Sequence, residues 1–171
     1  MKAIGIINVI LGGLYIIMNL VGLLVIYIEK LIFSSLSDFT YGDYPYDQFS
    51  YNDYMPFDMG AYMSDLLNLM LLSLPVAMIA YGILLFGGIK ILKKNVIGIQ
   101  LTKISSWVII VWYFAYMAYF YLTMSHYFES LSGGSVFVTI MFIFGGLVGF
   151  VFTCGYPIFL LIYLRKPRQF K

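Results

Sequence analysis

The chain has 171 residues, 62% of them hydrophobic and only 11% charged, with a mean hydropathy of +0.92. Soluble globular domains hold roughly 45–50% apolar and about 25% charged residues, so this composition argues against a water-soluble domain and for an integral membrane protein. A net charge of +2 gives no reason to expect nucleic acid as a partner, and in a membrane chain the placement of charges matters more than their sum.

Four apolar runs are each long enough to cross a bilayer, which takes about 20 residues of helix. The first, over 3–28, contains no charged residue. A secretory signal has an apolar core of roughly 7–15 residues that ends at a small-residue cleavage site. This run is longer and finishes in VIYIEK, so it is expected to remain as a membrane anchor. Gly5 and Gly12 give it a stripe of small residues, and Asn8 and Asn19 are its two asparagines.

The connection over 29–65 follows, with six tyrosines, six aspartates, Pro45, Pro56 and little aliphatic content, too little to build a core of its own. Aspartate and proline favour turns and tyrosine favours the membrane interface. The expected arrangement is a collar over the mouth of the bundle, with rings against lipid and carboxylates in water. The alternative is a weak divalent-cation site formed by Asp43, Asp47, Asp53 and Asp58, since Ca²⁺ takes several carboxylate and carbonyl oxygens. No spacing there matches an EF-hand loop.

The second run covers 66–89. Pro75 within it cannot donate to the carbonyl of Leu71, which predicts a kink and a freed acceptor close to Ser73. In the third run, over 104–124, Trp112, Tyr116 and Phe120 recur every four residues, a stripe better suited to packing or lipid contact than to a cofactor. In the fourth, over 136–163, Gly145, Gly149 and Thr153 form a small-xxx-small ridge that lets another backbone approach closely. Counted at 1.5 Å per residue, Asn19 lies about 14 Å from its outer helix end and Ser73 and Tyr116 about 12 Å, so the three share one level. They read as a brace between helices or, alternatively, as a small polar binding level.

Runs of this length without alternation exclude barrel strands, and helices are the other way to satisfy backbone hydrogen bonds in lipid. Lys2, Lys90, Lys93, Lys94, Lys103, Arg165, Lys166, Arg168 and Lys171 fall before the first run, between the second and third, or after the fourth. The eight acidic residues fall in the other two connections, accompanied by Lys30 and His126. By the positive-inside rule the basic side is cytoplasmic.

None of the four runs contains Asp, Glu, Lys, Arg or His, the usual pointers to intramembrane chemistry. His126 and Glu129 are spaced to share a helix face, but a zinc site needs at least three protein ligands. Neither an enzyme nor a cofactor is expected. Tetraspanins and claudins share the four-span plan, yet their outer regions depend on paired cysteines, and Cys154 is the one cysteine here.

GILLFGGIKILKKNVIGIQLTKISS, over 82–106, and YPIFLLIYLRKP, over 156–167, resemble segments of small bacterial four-span membrane proteins, in which a Gly-rich helix end meets a dibasic turn and the chain closes on a basic tail. That group often follows the dibasic pair with a Trp-Gly-Arg-like element, where this chain has NVIG. The resemblance implies a four-helix membrane protein and brings no activity with it.

The expectation is an all-α, integral membrane four-helix bundle in the cell membrane, one domain over 1–171 with both termini cytoplasmic. Its expected role is non-enzymatic, as an accessory, scaffold or envelope-associated protein whose partners are the lipid bilayer and another membrane protein or a second copy. The alternative is a small transporter or channel component using the level of Asn19, Ser73 and Tyr116.

Overall fold

The computed structural model describes residues 1–40, 59–129 and 135–165, and all of the regular structure in them is helical. The four helices are α1 (Lys2–Thr40), α2 (Met59–Leu92), α3 (Ile97–Glu129) and α4 (Ser135–Tyr163). Each contains a stretch long and apolar enough to cross a membrane. The helices exceed the apolar runs, most of all in α1, which continues through Glu29 and Lys30 to Thr40. Neither glycine nor proline stands between Glu29 and Thr40, so nothing in the local sequence stops the helix where the oil stops. The expected connection over 29–65 is therefore helical at both flanks, and 41–58 alone separates α1 from α2. Pro75 and Pro157 both sit inside helices that run through them.

Consecutive helices pack antiparallel in chain order, α1 on α2, α2 on α3 and α3 on α4. The closest approaches fall at glycines. A Cβ at Gly88 would lie 2.8 Å from the Gly5 carbonyl oxygen of α1, and a Cβ at Gly98 would lie 2.7 Å from the Gly87 carbonyl oxygen of α2. The adjacent glycines 87 and 88 thus face opposite ways, one toward α3 and one toward α1. Among the described residues the backbones of α1 and α4 do not approach; side chains join them, with Ile4 in the same core cluster as Leu160 and Leu164.

The turn between α2 and α3 shows how short that connection is. Asn95 N–H donates to the Lys90 carbonyl and Lys94 N–H to the Ile91 carbonyl, each at 2.9 Å. With Lys94 at φ 55°, this is the helix-ending Schellman pattern with lysine in the left-handed position usually given to glycine. The Asn95 side chain then accepts from Ile97 N–H at 2.9 Å, capping α3.

Little of the apolar surface is inside. Only 11–22% of the most apolar stretch of each helix is buried. Ile10, Ile17, Leu24, Phe144, Val151 and Phe152 all point outward. A soluble bundle hides one apolar stripe per helix, whereas these helices are apolar all round.

Candidate functional site

Antiparallel packing sends the charges to opposite ends. Lys2, Lys90, Lys93, Lys94, Lys103 and Arg165 lie at or near the end where α1 and α3 begin and α2 and α4 finish. Glu29, Lys30 and Asp65 lie toward the other end, where Lys30 Nζ donates to Asn68 Oδ1 at 3.0 Å and the Tyr127 hydroxyl donates to Asp65 Oδ2 at 2.7 Å. A second apolar cluster of Leu69, Met124 and Tyr127 closes that end between α2 and α3.

Between the ends are two polar features. The first is a buried node next to the glycine contacts. Asn8 is fully buried; its Nδ2 donates to Thr102 Oγ1 at 3.0 Å, and its Oδ1 accepts from the Tyr156 hydroxyl at 2.5 Å. One asparagine thereby joins α1 to α3 and to α4. Ser105 donates to the Ala80 carbonyl at 2.7 Å and Ser106 to the Thr102 carbonyl at 2.8 Å. Among the described residues, every buried side-chain nitrogen and oxygen has a hydrogen-bond partner.

The second feature is a half-open cavity of about 240 Å³ between α2, α3 and α4. On α2, Ala77 and Ala80 leave the room for it, with Ser73 and Tyr81 to either side along the helix. The α3 wall is Ile109, Trp112, Tyr113 and Tyr116, and α4 supplies Thr153. Tyr81 also stacks flat on Tyr15 of α1, ring centroids 4.1 Å apart, so the α2 wall is braced from behind. Ser73 and Tyr113 already give their hydroxyl protons away, to the Met70 carbonyl at 2.8 Å and the Gly146 carbonyl at 2.5 Å. Among the described residues, the Trp112 indole N–H and the Tyr116 and Thr153 hydroxyls have no hydrogen-bond partner. No protein-family model, curated protein or solved structure matches the chain.

Of the level expected from sequence, Ser73 and Tyr116 meet at this cavity and Asn19 does not. Asn19 Nδ2 donates instead to the Tyr15 carbonyl one turn back in α1, at 2.7 Å. Counting along a helix does not give the direction a side chain takes around it. The small-residue ridge divides in the same way. Gly145 faces open space, Thr153 lines the cavity, and a Cβ at Gly149 would lie 2.9 Å from the Tyr113 hydroxyl. The second glycine against α3 is Gly146, where a Cβ would lie 3.0 Å from Met117, so contact repeats at three residues rather than four. Asp43, Asp47, Asp53 and Asp58 lie outside the described residues.

The sequence signal that could have found the node is the lone Asn8 among apolar residues, read together with Gly87 and Gly88. Built of amide and hydroxyl groups, the node braces α1 against α3 and α4.

Proposed function

We propose that the protein is a multi-pass protein of the cell membrane with both termini on the cytoplasmic side, acting without catalysis as an accessory or scaffold that engages other membrane proteins. The sorting of basic residues to one end and acidic residues to the other supports the orientation. The observation that carries the interaction role is the complete internal pairing of the buried polar groups, Asn8, Thr102, Ser105 and Ser106, by other parts of the bundle. A pathway for ions needs polar groups left available to the cargo, and these are spent on holding helices together. The bundle then serves as a platform, and its outward helix faces and acidic end are the surfaces it offers to a protein partner.

Co-purification in mild detergent tests this role. A defined membrane protein should copurify in fixed stoichiometry and be lost when outward residues such as Phe144 and Phe152 are exchanged for alanine. Purification as a solitary chain at every detergent strength would remove the proposal.

The half-open cavity favours a second reading, a small transporter component that takes its cargo at the level of Ser73 and Tyr116. Solute flux into liposomes holding the purified protein separates the two. Flux abolished by Ala77→Phe would favour transport, and none across a panel of neutral solutes and ions would favour the platform.

A further inference from the structure

The cavity between α2, α3 and α4 has a chemistry of its own that a platform does not require. Among the described residues no charged side chain lines it, so a charged ligand would be desolvated there without a counter-ion. Ala77, Ala80 and Ile109 give it an apolar lining, and Tyr81, Trp112, Tyr113 and Tyr116 add aromatic rings, which suits a flat ring. The lining groups without a hydrogen-bond partner among the described residues, Trp112, Tyr116 and Thr153, can all donate, and the indole N–H can do nothing else. Ser73 and Tyr113 have already committed their protons to carbonyls. The unmet demand in the cavity is therefore for an acceptor oxygen.

Size narrows the class further. An apolar cavity of about 150 Å³ takes benzene, so on the same scale about 240 Å³ accommodates a single ring with a short substituent. A neighbouring hollow, lined by Trp107 and Trp112 with Val76 and Val111, shares Trp112 with the cavity but has no hydroxyl in its lining. From the cavity we infer that the protein binds a neutral, single-ring molecule bearing a carbonyl-type oxygen, with the ring among Tyr81, Trp112 and Tyr116 and the oxygen taking the Trp112 N–H or the Tyr116 hydroxyl proton. The inference stands on the cavity and holds whether the chain acts as a platform or as a transporter.

Two tryptophans supply both the reporter and its control, Trp112 in the cavity and Trp107 on the exposed face of α3. The experiment follows the two indole N–H resonances of ¹⁵N-labelled protein in detergent, assigned with Trp107→Phe, during titration with acetophenone or α-methylstyrene. These two probes differ only in carrying a carbonyl oxygen or a methylene group. Acetophenone should move the Trp112 resonance saturably and leave Trp107 with a small linear drift from partitioning into the micelle. With each affinity referenced to the probe's own partition into the micelle, it should bind about five-fold more tightly than α-methylstyrene, the equivalent of one hydrogen bond. Ala77→Phe should abolish the saturable shift, and Tyr116→Phe should narrow the difference between the probes. Parallel, non-saturating shifts of both indoles, or equal affinity for both probes, would overturn the inference, and the comparison in the unaltered protein needs no variant to fold.

Discussion

Asn8 holds three helices through two hydrogen bonds, and its burial makes each of them matter. Interhelical hydrogen bonds in membrane proteins average about 0.6 kcal/mol and reach about 1.7 kcal/mol, while a buried group stripped of its partner costs roughly 1–3 kcal/mol. Asn8→Ala is therefore expected to destabilise the protein by about 2 kcal/mol, read as unfolding in detergent. A double-mutant cycle with Tyr156→Phe should give a coupling of about 1 kcal/mol. Additive losses would mean that Tyr156 and Asn8 act independently. Lys94 offers the opposite sign. A non-glycine residue in the left-handed region costs about 1–2 kcal/mol, part of which glycine gives back through its extra freedom in the unfolded chain. Lys94→Gly should accordingly raise stability by about 0.5–1 kcal/mol, whereas Asn95→Ala, which removes the cap on α3, should lower it by about 1 kcal/mol. Two neighbours in one turn would move the melting temperature in opposite directions.

At the scale of elements, the number and order of helices were legible because lipid-length apolar runs leave no other backbone solution. Their ends were not. The first run stops at Ile28 in composition, but α1 continues to Thr40, because composition marks where oil ends and only glycine, proline or a cap marks where a helix ends. Helix faces were legible in part. Gly5 and Gly12 do press on α2, each with a Cβ position within 3 Å of a neighbouring atom. Gly145, read as one of a ridge with Gly149, meets nothing, because helix rotation follows from packing partners that a single helix does not encode. Alanine substitutions separate these cases. At Gly88 the new Cβ would strike backbone of α1, which cannot rotate away, so Gly88→Ala should cost about 2 kcal/mol. At Gly149 it would strike the movable tip of Tyr113, so the loss should be smaller, and Gly145→Ala should stay within about 0.5 kcal/mol of the parent. A different rank order in thermal unfolding would show that α1 and α2 can separate without penalty.

At the scale of the whole molecule, the cavity was only half readable: Ser73 and Tyr116 could be set at one level by counting, while Trp112 and Thr153 joined them through a helix arrangement that no single run encodes. The remaining question at this scale is where a bilayer would lie along the bundle. α1 has 39 residues, which at 1.5 Å per residue makes a rod of about 58 Å, nearly twice the roughly 30 Å hydrocarbon core. Its membrane-compatible part is Lys2–Ile32, so the last turns up to Thr40 should stand in water on the acidic side. Single cysteines at positions 17, 37 and 96 read out depth and orientation together, with the native Cys154 fully buried and so a low background. A thiol reacts with maleimide as the thiolate, which does not form in hydrocarbon. Cysteine at 37 should label in intact cells with an impermeant maleimide, cysteine at 96 only after permeabilisation, and cysteine at 17 under neither condition. Labelling at 96 from outside would reverse the orientation, and protection at 37 would place the acidic end of α1 within the bilayer or beneath a partner. Ready reaction at 17, on an outward face of α1, would mean that water and not lipid surrounds the helix, and the membrane reading itself would fall.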